Sequence, residues 1–102
     1  MWQDVAAAED VAEDVPVSVK IGERDVGIYR IGDALYAMED VCPHAYALLT
    51  QGFIEDDTVE CPLHEALFHI PSGKCLREPG GRDLATYKVK EEGGRIFVST
   101  DG

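Results

Sequence analysis

Four residues of this chain could hold a metal or a cluster. Cys42-Pro43-His44 and Cys61-Pro62-Leu63-His64 each carry one thiol and one imidazole, and sixteen residues separate His44 from Cys61. The proline after each cysteine stiffens its loop and removes one backbone donor. Two thiolates and two imidazoles suit a tetrahedral zinc ion. They also suit a [2Fe–2S] cluster in which one iron takes two cysteines and the other two histidines. Zinc sites of the Cys2His2 kind normally pair cysteine with cysteine and histidine with histidine. Here each loop carries one of each, which lets one loop reach two different irons.

The rest of the chain must bring these two loops to one point. From Val17 the pattern has period two: Val17, Val19 and Ile21 alternate with Ser18 and Lys20. Val26, Ile28, Tyr29 and Ile31 form an apolar run, and Gly32-Asp33 reads as a hairpin turn into Leu35–Met38. Short strands are expected at Gly52–Glu55, Thr58–Cys61 and Leu67–His69, with turns at Asp56-Asp57 and at Ser72-Gly73-Lys74. Ala85–Lys90 and Arg95–Ser99 pair across Glu92-Gly93-Gly94. Trp2–Ala6 opens as an edge strand, followed by a short helical turn that Pro16 stops. Short strands separated by turns predict an all-β fold, a small antiparallel sandwich or barrel. The segment from about residue 40 to 80, rich in Cys, His, Pro and Gly, reads as a site-bearing subdomain inserted into that scaffold.

Length and charge bound the function. The chain has 102 residues, which makes residues 1–102 a single domain. Its formal net charge is −11, with 20 acidic and 9 basic residues. Such a chain repels phosphates, so neither nucleic acid nor an anionic membrane surface is an expected partner. No stretch approaches the roughly 20 apolar residues of a membrane span, and the N-terminus has no secretory character. The expected location is the cytoplasm. Three cysteines fit no disulfide framework, which points to metal or redox chemistry instead.

The pattern C-P-H, sixteen residues, C-P-L-H resembles the C-x-H…C-x-x-H signature of Rieske proteins. Leu35–Asp40 is similar to the strand that enters the first ligand loop, Phe68–Gly73 to the strand and turn after the second, and Pro79-Gly80-Gly81 to the third loop that covers the cluster. The resemblance spans about Val17 to Val98. Small acidic members of this kind are ferredoxin components of bacterial aromatic-ring-hydroxylating dioxygenases. The resemblance implies one [2Fe–2S] cluster, with Cys42 and Cys61 on one iron and His44 and His64 on the other. It implies an electron carrier, not an enzyme, that serves a flavoprotein ferredoxin reductase and a terminal Rieske oxygenase. A monomer is expected, since a shuttle presents one tip to two partners in turn. A Rieske oxygenase would need a further 2-His-1-carboxylate iron site, and only His69 remains after the four ligands. The alternative is a zinc-binding Cys2His2 interaction module.

Other residues receive plainer readings. Cys75 and His69 are expected to be structural, Trp2 to pack against the scaffold, and Tyr29, Tyr36 and Tyr87 to be buried or half-buried. Tyr46 is read in two ways, as a residue near the exposed tip or as a packing residue. Ala45–Leu49, Ala66, Leu67 and Pro79 are expected to form an apolar collar around the histidine edges. Some Rieske proteins brace the ligand loops with a disulfide; the matching positions here are Ala47 and Leu63, so that brace is absent. High-potential members place serine and tyrosine hydroxyls on the cluster sulfurs. Counted from Cys61, those positions are Ala66 and Phe68, which cannot donate. Hydrogen bonds to sulfur stabilise the reduced cluster, so their loss predicts a midpoint at the low end of the Rieske range, roughly −150 mV. Potentiometric titration checks this, and a midpoint well above zero would contradict it.

Overall fold

The computed structural model describes residues 1–43, 47–63, 65–78 and 81–100. Ten strands are formed among them: β1 (Trp2–Ala7), β2 (Val17–Ile21), β3 (Arg24–Ile31), β4 (Ala34–Glu39), β5 (Phe53–Glu55), β6 (Thr58–Glu60), β7 (Leu67–His69), β8 (Cys75–Arg77), β9 (Thr86–Glu92) and β10 (Arg95–Ser99). They build two antiparallel sheets. The larger has the order β1-β10-β9-β4-β3-β2, and the smaller the order β5-β6-β7-β8. The edge strands β1 and β2 of the larger sheet touch, so it nearly closes into a barrel. The smaller sheet lies in sequence between β4 and β9, which pair directly through Ala37 with Tyr87 and Met38 with Thr86. An all-β barrel carrying an inserted sheet is therefore the architecture, as the alternating pattern predicts.

The alternation of β3 and β4 decides how the two sheets meet. In a strand successive side chains point to opposite faces. Val26 and Ile28 of β3, with Ala37 of β4, enter the barrel core beside Ile21, Ile96 and Val98. Tyr29 and Met38 point the other way, into a second core under the smaller sheet. That second core also contains Leu49, Val59, Phe68, Ile70 and Leu84. One hairpin thus forms a wall of both cores.

The turns match their residues. Gly32, Gly93 and Gly94 have positive φ, as does Asp56 at 54°. Tight hairpins need that conformation, and glycine and aspartate accept it most readily. The segment after β1 is a 3₁₀ turn at Ala8–Asp10, which agrees with the expected helical turn. Arg30 holds it, with Nε donating to the Val11 carbonyl at 2.6 Å and Nη2 to the Ala8 carbonyl at 3.2 Å.

The structure adds two elements that periodicity does not disclose. One is β8, which pairs with β7 through an irregular register. Three residues after a turn are too few to show a period. The other is a 3₁₀ turn at Leu49–Gln51. The strand expected at Thr58–Cys61 ends at Glu60, because Cys61 already belongs to the following loop. Trp2 packs only in part: it is 41% exposed, with the Lys90 ammonium 4.7 Å from its ring centroid.

Gly73 is held to glycine by both its backbone conformation and its surroundings. Its φ is +74°, and a Cβ there would lie 2.3 Å from the Leu84 carbonyl oxygen. That close approach lets Leu84 N–H donate to the Gly73 carbonyl at 2.7 Å and ties the β7–β8 turn to the start of β9. Gly22 also has positive φ, but open space surrounds it. Gly73→Ala is expected to lower the unfolding free energy by about 2–3 kcal/mol, and Gly22→Ala by about 1 kcal/mol. Chemical denaturation of the two variants tests this, and equal losses would contradict it.

Candidate cluster-binding site

Two loops of matching build contribute to the second core. In the first, Cys42 N–H donates to the Ala47 carbonyl at 2.9 Å. In the second, Cys61 N–H donates to the Ala66 carbonyl at 2.9 Å. Each bond therefore closes a loop of the same length, from a cysteine to an alanine five residues on. Cys42 is 2% and Cys61 1% exposed, and no disulfide joins any of the three cysteines. A pair of buried thiols opening equivalent loops suits a group that takes two thiolates. The histidines that share these loops, His44 and His64, lie outside the described residues, as do Ala45, Tyr46, Pro79 and Gly80.

Gly52 sets how closely the loops approach. It follows the 3₁₀ turn after the first loop, and a Cβ there would lie 1.9 Å from the Glu60 carbonyl oxygen. Glu60 immediately precedes Cys61. Any side chain at position 52 would push the two cysteine loops apart.

The second loop is also held from outside. Arg77 on β8 reaches both of its ends: Nε donates to the Glu65 carbonyl at 2.7 Å, and Nη2 pairs with Glu60 Oε1 at 2.9 Å. The segment after the third loop is anchored to β4. Arg82 makes a two-pronged pair with Glu39, Nη1 to Oε1 at 2.8 Å and Nη2 to Oε2 at 3.0 Å, and Ala85 N–H donates to Oε1 at 2.6 Å. Asp83 Oδ1 accepts from Cys75 N–H at 2.8 Å.

Several expectations are met around this site. Ala66 and Phe68 are fully buried, so the positions that could have offered hydroxyls to sulfur present a methyl and a phenyl. His69 is structural: its ring lies between Ser72 Oγ at 2.7 Å and Asp57 Oδ2 at 3.0 Å. Cys75 is half-buried beside β7, its thiol directed to Glu78 Oε1 at 3.3 Å. Tyr29 is buried, and Tyr36 and Tyr87 are half-buried.

The expected apolar collar is corrected. Ala47, Leu49 and Ala66 are core residues and face away from solvent. Leu48 and Leu67 are half-buried, while Ala45, Tyr46 and Pro79 lie outside the described residues. The reason is the 3₁₀ turn: it drops Leu49 into the core as Leu49 N–H donates to the Asp40 carbonyl at 2.7 Å. The large exposed apolar residue beside the second loop is instead Leu63, at 64%.

One buried charged residue leaves no signal in residue type or spacing. Asp40 has no exposed surface. Its carboxylate accepts from Thr50 N–H and from Thr50 Oγ1, both at 2.8 Å. Burial pushes the Tyr29 phenol well above its usual range, and the Asp40 charge pushes it the same way. The Tyr29 hydroxyl has no hydrogen-bond partner among the described residues.

Comparison with known proteins agrees with the build of these loops. The model of the family described as "Rieske [2Fe-2S] domain" matches residues 1–88. The chain belongs to the Rieske [2Fe-2S] domain family. The domain carries a [2Fe–2S] cluster. A curated relative from Ralstonia sp., the ferredoxin component of naphthalene 1,2-dioxygenase/salicylate 5-hydroxylase systems, is 34% identical over 98% of this chain and 96% of its own. Among solved structures, the ferredoxin of carbazole 1,9a-dioxygenase from Nocardioides aromaticivorans IC177 superposes with a TM-score of 0.90 at 29% identity, covering 97% of both chains. A chain from a complex of reduced oxygenase and oxidised ferredoxin in carbazole 1,9a-dioxygenase superposes with a TM-score of 0.88 at 32% identity, covering 96% of this chain and 92% of that one. In this Rieske chain the thiols and the loop closure are present, and the loop-bracing disulfide is not.

The Glu39–Arg82 pair makes one part of this frame sensitive to pH. Hydrogen bonding from Arg82 holds the Glu39 carboxyl below its usual 4.5; burial opposes this, and the Ala85 N–H and the charges of Arg82 and Arg24 add to it. A depressed folded-state value means that the pair stabilises the fold above the unfolded-state value. That contribution is lost as pH falls through the folded-state value. Glu39→Gln is expected to cost about 1 kcal/mol at neutral pH. Denaturant titrations of wild type and variant should converge as the pH drops below 4.5. A gap that persists in acid would contradict this.

Proposed function

We propose that this chain is a one-electron carrier, a ferredoxin that takes electrons from an NAD(P)H-dependent flavoprotein reductase and delivers them to a terminal aromatic-ring-hydroxylating oxygenase. The observation that carries the reading is the pair of buried, equivalently closed cysteine loops in a chain that the Rieske family model matches over residues 1–88. When bound, the [2Fe–2S] cluster supplies a one-electron redox couple. Cys42 and Cys61 would hold one iron from the buried side, and His44 and His64 the other. Relatives that match this chain over nearly their whole length are named as ferredoxin components of dioxygenase systems. The solved complex of an oxygenase with its ferredoxin supports the oxygenase as one partner.

The chain's own residues suit a shuttle. Phe68, Leu49 and Ile70 are buried under the loops and exclude water from the cysteine side. Leu63 stands exposed between Pro62 and His64 and offers a small apolar contact at the loop tip. The net charge of −11 favours basic patches on both redox partners and disfavours nucleic acid. No helix among the described residues is long and apolar enough to cross a membrane. With these features we read residues 1–102 as one domain, working as a monomer in the cytoplasm. It is not an enzyme by itself. After His44 and His64 are assigned, His69 remains, and it is tied to Ser72 and Asp57. No 2-His-1-carboxylate iron site can be assembled from it.

The test is an electron paramagnetic resonance spectrum of the dithionite-reduced protein, with iron and sulfide assayed alongside. Mixed cysteine and histidine ligation is expected to give a rhombic signal with an average g of about 1.9. His44→Ala and His64→Ala should each abolish it. An iron-free, silent protein with stoichiometric zinc would return the zinc-binding interaction module instead.

A further inference from the structure

The two cysteine loops are closed alike but supported differently. Behind the second, β6 and β7 continue as a ladder, with Glu60 opposite Leu67 and Val59 opposite Phe68. Behind the first there is a single bridge, Val41 with Leu48. The chain then leaves the strand direction and enters the 3₁₀ turn at Leu49–Gln51. Past that bridge one backbone bond joins residues 40 and 49, Leu49 N–H to the Asp40 carbonyl, and no ladder follows among the described residues. What stands there is Asp40.

We propose that Asp40 is the positioning residue of the first ligand loop, holding it through Thr50 where the second loop is held by a strand ladder. The proposal rests on the ligand assignment made above. Asp40 makes four hydrogen bonds. Its N–H donates to the Asp25 carbonyl on β3 at 3.0 Å, and its carbonyl accepts from Leu49 N–H at 2.7 Å. Its carboxylate takes the N–H and the hydroxyl of Thr50. One residue therefore ties the incoming strand, the outgoing turn and β3 together, two positions before Cys42.

Three further observations fit a built arrangement. Asp40 is fully buried, which is costly for a carboxylate unless its acceptors are met. The wall of the site is cut to fit: a Cβ at Gly27 would lie 2.9 Å from Thr50 Cγ2, so β3 leaves room for the threonine methyl. The field of the carboxylate also reaches the second core, where it raises the Tyr29 phenol further. Removing the carboxylate leaves the loop with backbone contacts alone: the Val41–Leu48 bridge, Cys42 N–H to the Ala47 carbonyl and Leu49 N–H to the Asp40 carbonyl. The segment that carries Cys42 then loses a side-chain anchor, while the segment before Cys61 keeps its ladder.

The experiment compares wild type, Asp40→Ala and Asp40→Asn, each reconstituted with iron and sulfide. Three readouts are used: chelator-driven iron loss, the g values of the reduced protein and its midpoint potential. Asn keeps the shape, with Oδ1 accepting from Thr50 N–H and Nδ2 donating to Thr50 Oγ1. Asp40→Ala is expected to lose iron about tenfold faster, with shifted g values and a shifted potential. Asp40→Asn is expected to restore all three. An Asp40→Ala protein that matches wild type overturns the proposal. So does an Asp40→Asn protein as altered as the alanine variant, which would assign the effect to charge. If Asp40→Ala does not fold, Thr50→Val and Thr50→Ser replace it. A shifted g tensor in Val but not in Ser supports the proposal, and unaltered spectra in both overturn it. A wild type that takes up no cluster overturns the ligand assignment and this proposal together. A loaded wild type with an unaltered Asp40→Ala overturns this proposal alone.

Discussion

The hairpin of β3 and β4 belongs to two cores at once, and the rest of the structure depends on that. A strand has two faces, and here each face is buried against a different set of side chains. Ile28 and Ala37 close the barrel, while Tyr29 and Met38 floor the cysteine loops. A one-residue slip between β3 and β4 would exchange the faces and spoil both cores. The register is therefore held from two sides, and the site rests on this hairpin. A small chain gains from this economy, since one hairpin serves where two layers would otherwise be needed.

On that floor the two cysteine loops repeat one design. Each begins with a buried cysteine followed by proline, and each closes with the same backbone hydrogen bond. What differs is how each is kept in place. The second has a continuous ladder and a guanidinium across its ends. The first has a bridge, a turn and a buried carboxylate. Gly52 then brings the two together by leaving out a side chain beside Glu60. The arrangement buries one cysteine from each loop in the second core and leaves Leu63 exposed.

The family membership and this geometry explain one another. A carrier needs a redox group close enough to the surface for transfer, yet dry enough on its inner side to keep a stable potential. Buried Ala66 and Phe68 provide the dry side without hydroxyl donors. Neither core cluster contains an acidic side chain; among the described residues Asp40 is the buried acid.

The two Cys/His half-motifs were legible from residue type and spacing alone, because one thiol and one imidazole within two or three residues leave a local signature. The all-β class and most hairpins were legible for the same local reason: period-two alternation and Gly or Asp turns act over a few residues. Strand β8 was not, since three residues carry no period and its pairing is set by β7. The apolar run Ala45–Leu49 looked like a surface collar, because hydrophobicity does not say which side of a loop faces water. Only the 3₁₀ turn and its bond to Asp40 put Leu49 inside. Asp40 itself read as one acid among many in a chain with 20 acidic residues. Burial made it different, and burial is a property of what packs around a residue from distant parts of the chain: Asp25, Leu49 and Thr50 all had to arrive before that carboxylate had a role.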